Sequence, residues 1–108
     1  MVGEYECELC GRLVNEVTRH HLIPQTRHSN KKNKRDFDRE EVKTRLALLC
    51  RPCHKQVHAC LTEKELERSY NTLEELKVHR EIARFVDWIK DKPADTHVVV
   101  KKNRKKGR

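Results

Sequence analysis

Apolar residues come in short bursts along this chain, and the spacing within each burst points to an element. Between Leu13 and Ile23, the residues Val14, Val17, Leu22 and Ile23 have polar neighbours between them, and Pro24 closes the run; this predicts a short strand. Residues 25–40 are polar and read as a long loop with a basic core of Lys31, Lys32, Lys34 and Arg35. From Val42 the pattern alternates into Leu46, Ala47, Leu48 and Leu49, which predicts the partner strand of a hairpin. Arg51-Pro52-Cys53-His54 opens a helix to about Cys60, with Pro52 suited to the first helical position, where no amide donor is needed. Thr62-x-x-Glu65 is a capping box for a second short helix to about Tyr70, and Thr72-x-x-Glu75 opens a longer one to about Lys90. Val78, Ile82, Phe85 and Ile89 recur at helical spacing in that last helix and should face the body, with Trp88 packing beside the stripe. Pro93 marks its stop, Val98 to Val100 suggest a brief edge strand, and disorder is expected beyond.

Composition limits what such elements can bury. Of 108 residues, 35% are hydrophobic and 39% charged, so one small domain with appendages is expected, and a structural metal would relieve a deficit of apolar core. A structural zinc contributes roughly 10–16 kcal/mol of apparent binding free energy, which becomes folding free energy. The net charge is +8, and six of the positive charges lie in the last eight residues, so the body is nearly balanced and the tail is strongly basic. Lys101, Lys102, Arg104, Lys105 and Lys106 mark that tail as a seeker of phosphate backbones. No N-terminal stretch resembles a signal peptide and no apolar run approaches ~18 residues, so the expected setting is the reducing cytoplasm, with no membrane contact.

In that setting the five cysteines read as ligands rather than disulfides. Cys7 and Cys10 form one Cys-x-x-Cys knuckle and Cys50 and Cys53 another, and together they offer four sulfurs to a tetrahedral zinc. Gly11 suits the tight turn after the first pair. Cys60 is left over and is expected to be a buried thiol near a helix end. Thirty-nine residues separate Cys10 from Cys50, room for a hairpin and its loop, so the ion would pin the first strand against the helix that begins at the second knuckle. On that helix His54 and His58 stand four apart, hence on one face, and two imidazoles on one face can share a metal. His20 or His21 on the hairpin can complete the set, and because adjacent strand residues point to opposite sides, one histidine can bind while the other stays free. His28, His79 and His97 have no partner by spacing and are expected at the surface.

The ordered string Cys7-x-x-Cys10, His20-His21-Leu22-Ile23-Pro24, and Leu49-Cys50-Arg51-Pro52-Cys53-His54-x-x-x-His58 resembles the HNH endonucleases, specifically the small bacterial and phage members with four zinc-binding cysteines. The resemblance covers about residues 5–60. It implies a ββα-metal (His-Me finger) fold with one catalytic divalent metal: Mg²⁺, Mn²⁺, Ni²⁺ or Zn²⁺. His20, His54 and His58 would be its ligands and His21 the general base, a task that suits imidazole because it titrates near neutral pH. Products would carry 5′-phosphate and 3′-hydroxyl ends. The family's central Asn falls here on Arg45, which cannot ligate a cation but can donate hydrogen bonds to a hairpin carbonyl or a phosphate.

The expectation is therefore a small α+β protein. A ββα-metal core (1–60) is pinned by a four-cysteine structural zinc site, a helical extension (61–92) packs on it, and a basic tail (93–108) follows. Its expected activity is metal-dependent DNA hydrolysis, one strand per visit. The partner would be DNA, held by its phosphate backbone through the basic loop and the tail. A non-catalytic zinc module that binds nucleic acid is the competing reading, motivated by Arg45. A regulator or scaffold presenting the helix at 73–90 is a third.

Overall fold

A computed structural model describes residues 4–96 and 98, and among these described residues are two antiparallel strand pairs and six short α-helices. Strands β1 (Tyr5–Glu6) and β2 (Leu13–Val14) bracket the first cysteine knuckle. The turn between them closes through Gly11 N–H to Cys7 O at 2.8 Å, and Gly11 adopts φ 80°, a conformation that other residues rarely tolerate. Strand β3 (Thr18–His21) pairs in a second sheet with β4 (Leu46–Leu49). The strand expected over Leu13–Ile23 is thus two strands in two sheets.

Between β3 and β4 the expected loop is largely helical. After a 3₁₀ turn (Gln25–Arg27) come α1 (Lys31–Asp36) and α2 (Arg39–Thr44). The Asn30 side chain accepts from Lys32 N–H, and Asp38 accepts from Glu40 and Glu41 N–H, so each helix starts on a strong N-cap. The basic residues Lys31, Lys32, Lys34 and Arg35 lie exposed on α1, and Val42, expected to begin a strand, is a buried residue of α2. These two helices lack an apolar stripe and are held by polar bonds. The fully buried Glu67 carboxylate accepts from Arg27 Nε (3.0 Å), Arg68 Nε (3.1 Å) and Asn33 Nδ2 (2.7 Å), while Arg39 donates to Asn33 Oδ1 and to the carbonyls of His28 and Phe37.

Helix α3 (Arg51–Cys60) runs as expected, with Cys50 as its N-cap and Pro52 one position further into the first turn. Helix α4 (Glu63–Arg68) carries the full capping box of Thr62 and Glu65. The expected long helix is broken: α5 (Leu73–Val78) and α6 (Arg80–Ile89) meet at His79, whose extended backbone ends one helix and whose Nδ1 accepts from Glu81 and Ile82 N–H to cap the next. The break turns Val78 outward to 77% exposure, whereas Ile82 and Ile89 are buried and Phe85 packs partly against the core. Cys60 is half-buried rather than buried and accepts from Gln56 Nε2 at 2.9 Å. One apolar cluster runs from the cysteine knuckles through Leu49 and Val57 to Leu66, Leu76, Ile82 and Ile89. The expected strand at Val98–Val100 lies largely outside the described residues, and His97 and the basic run at 101–108 lie wholly outside them.

Candidate metal centres

The two knuckles meet. Cys7, Cys10, Cys50 and Cys53 offer sulfurs that all lie within 4.8 Å of one another, and none is in a disulfide. The Cys10 and Cys50 sulfurs are 3.9 Å apart, close to the edge of a tetrahedron built on Zn–S bonds of ~2.3 Å. Hydrogen bonds from the Cys50, Cys53 and Cys7 thiols hold the Cys10 thiol far below its usual range, while the same contacts with Cys10 push Cys50 and Cys53 up, so the negative charge gathers on Cys10. Arg12, a residue that no spacing rule singles out, is buried against this centre and donates to the Cys10 and Cys50 sulfurs at 3.4 Å each. Four converging thiols with a cation beside them fit a structural divalent ion such as zinc.

The second cluster forms across β3, β4 and α3. In the β3–β4 register Thr18 faces Leu49 and His20 faces Ala47, so Thr18 and His20 share the side of the sheet that carries the buried Ala47 and Leu49. Ala47 leaves room for an imidazole. Across from it stand His54 and His58, one turn apart on α3. Ring centroids are 5.2 Å apart for His20–His54, 5.2 Å for His20–His58 and 5.0 Å for His54–His58, and one nitrogen from each ring lies within 4.8 Å of the others. His20 is 1% exposed, and its Nε2 is buried without a hydrogen-bond partner. A buried imidazole nitrogen with no partner is costly unless something else fills its lone pair, as a cation shared with His54 and His58 would.

Neighbouring groups prepare these rings. Thr18 Oγ1 lies 3.0 Å from Leu49 O and 2.7 Å from His54 Nδ1. The single hydroxyl proton goes to the carbonyl, so the oxygen accepts from Nδ1–H and the His54 Nε2 lone pair is left for an ion. Glu63 Oε2 faces His58 Nδ1 at 3.7 Å, and Glu63 Oε1 accepts from Thr26 Oγ1 at 3.0 Å. Burial, with the nearby His58, His54 and His21, pushes His20 down to about 3; burial and His58 lower His54 as well. Neutral imidazoles are the form that binds metal.

His21, on the opposite side of β3, is half-buried, and burial together with His28 and Arg19 lowers its pKa. The turn after it is fixed twice: Leu22 N–H donates to Arg45 O at 3.0 Å, and His28 Nε2 donates to Ile23 O at 2.7 Å. His28, expected at the surface without a partner, is therefore a loop tether, and its ring sits 6.1 Å from that of His21. The Arg45 side chain pairs instead with Glu41 at 3.4 Å, so this residue reaches the His21 turn through its backbone carbonyl. A cavity of about 260 Å³ opens beside the cluster, lined by residues that include Arg19, His21, His54, His58 and Glu63.

The class these features define is a small α+β protein with two strand pairs, a four-cysteine centre and a three-histidine centre, each able to hold a metal ion. Over 99 residues the chain is 41% identical to the uncharacterized protein YisB of Bacillus subtilis (strain 168), an alignment that covers 90% of this chain and 85% of that protein. It belongs to the same family as YisB. No family model matches the sequence. No solved structure matches it either. Among the described residues no helix is long and apolar enough to cross a membrane.

Proposed function

We propose that this chain is a metal-dependent DNA endonuclease of the HNH type, with β3, β4 and α3 as its ββα-metal core. The observation that carries the reading is the convergence of His20 from the strand with His54 and His58 from the helix, and His21 next to them on the opposite side of the strand. His20, His54 and His58 would hold a divalent ion, which would supply positive charge at the scissile phosphate and its departing oxygen. His21 takes the proton from the attacking water, and its lowered pKa keeps it unprotonated near neutral pH. Leu22 and Ile23, tied down by the Arg45 carbonyl and His28, hold the turn behind that base. Lys31, Lys32, Lys34 and Arg35 on α1, with the basic run at 101–108, attract the phosphate backbone.

The test is nicking of supercoiled plasmid in Mg²⁺, Mn²⁺, Ni²⁺ or Zn²⁺. Wild type is expected to accumulate nicked circles with at least one ion. His21→Ala should lose about 10²–10⁴ in rate while binding DNA unchanged. The side chain of Arg45, turned to Glu41 rather than to a carbonyl of the His21 turn, favours a second reading, a non-catalytic zinc module that binds nucleic acid. That reading prevails if wild type binds DNA and cuts with none of the four ions. An RNA substrate in place of DNA would show as cleavage of RNA alone.

A further inference from the structure

Arg12 is 7% exposed, yet among the described residues no carboxylate pairs with it. Its guanidinium instead divides its donors. Nε and Nη2 point at the Cys10 and Cys50 sulfurs at 3.4 Å, and Nη1 points at the carbonyls of Pro93 (2.6 Å) and Lys92 (3.4 Å). A guanidinium keeps its charge at any physiological pH, and burying it without an opposite charge is expensive. The sulfurs are the available counter-charge, and the fork meets both of them only while they stand 3.9 Å apart. A divalent ion bound by all four sulfurs would fix that spacing and leave the centre with a net negative charge.

We propose that Arg12 latches the segment after α6 onto the four-cysteine centre, and that this latch closes when the centre is metal-loaded and opens when the metal leaves. The inference stands apart from the nuclease reading. The planar fork of arginine is what lets one side chain span two sulfurs on one edge and two carbonyls on the other, which a lysine cannot do. The segment so held makes its own turn, with Lys92 N–H to Ile89 O at 2.9 Å and Thr96 N–H to Pro93 O at 3.1 Å, and Ala94 and Val98 pack against the core. It leads in sequence to the basic run at 101–108. Metal at the cysteines thereby governs how firmly residues 92–96 are held.

The test uses the full chain with Co²⁺ in the four-cysteine centre, where thiolate-to-cobalt absorption reports loading, and hydrogen exchange at the Lys92 and Thr96 amides. Arg12→Gln is expected to keep the absorption band while those two amides exchange about ten-fold faster than in wild type. Arg12→Lys should loosen them similarly, with a smaller loss of cobalt affinity. In wild type, stepwise chelation should release Lys92 and Thr96 in proportion to the band lost, ahead of the α6 amide of Ala83. Equal protection of Lys92 and Thr96 in loaded wild type and loaded Arg12→Gln overturns the proposal. So does their release in wild type only together with Ala83. If Arg12→Gln does not fold, Arg12→Lys and the wild-type chelation series decide the same question.

Discussion

The hydroxyl oxygen of Thr18 sits 2.7 Å from Nδ1 of His54 while its proton is directed to the Leu49 carbonyl. A strand residue thus sets which nitrogen of a helix residue is free. Thr18→Val keeps the shape and removes this constraint, so affinity of the histidine cluster for Ni²⁺ or Zn²⁺ should fall about 10- to 100-fold. Thr18→Ser should retain it. Calorimetric titration with the cysteine centre already loaded measures both.

His20 gives the fold a defined acid response. Its pKa is near 3 when folded against 6.5 for the ordinary side chain, so the unfolded chain takes up a proton that the folded one refuses. A depressed histidine contributes full stability above about pH 6.5 and loses it as pH falls toward about 3, by at most ~1.4 kcal/mol per pH unit. The lowered pKa values of His54 and His21 act in the same direction. Urea melts across that window, with the cysteine centre loaded and the histidine cluster free of ion, should show the slope. His20→Phe should flatten it.

Glu67 is a buried carboxylate answered by Arg27, Arg68 and Asn33. Burial alone would raise its pKa, but the hydrogen bonds from Arg68, Asn33 and Arg27 outweigh burial and the net shift is downward. Glu67→Ala leaves buried donors without an acceptor and should cost about 3 kcal/mol, read from the urea midpoint. The loss should be felt first in α1 and α2, where hydrogen exchange would rise before it does in α6.

The break at His79 makes two neighbours on one apparent stripe behave differently. Val78→Ser should change stability by less than about 0.5 kcal/mol. Ile82→Ala should cost about 2–5 kcal/mol, because that side chain is fully buried. Thermal melts of the two variants decide the point.

The cysteine and histidine clusters were legible in the sequence because their members carry short-range geometry: two residues inside a Cys-x-x-Cys pair, three between imidazoles on one helix face. Helix α3 and the Thr62 box were legible for the same reason. Residues 25–44 were not, because six-residue helices held by polar bonds show no apolar period. Their signal was in the caps: Asn30 before one helix, and Asp38-x-x-Glu41, the pattern of a capping box, before the other. The apolar stripe at 78–89 concealed the His79 break, since the cap comes from an imidazole, an uncommon N-cap side chain. Arg12 and Thr18 were invisible because Arg12 joins Cys10 to Cys50 and Pro93, and Thr18 bonds Leu49 and His54, partners more than thirty residues away apart from Cys10.

Candidate ligands to both centres follow one another from the N-cap of α3 onward, sulfurs from Cys50 and Cys53 and then imidazoles from His54 and His58, within nine consecutive residues. A deletion or insertion of one residue there would rotate one ligand set about 100° relative to the other. The stretch from 29 to 44 carries no ligand to either centre, so its length is not tied to that rotation, although Asn33 within it answers Glu67. Length differences among relatives should therefore collect between the two strands and leave the nine-residue stretch untouched.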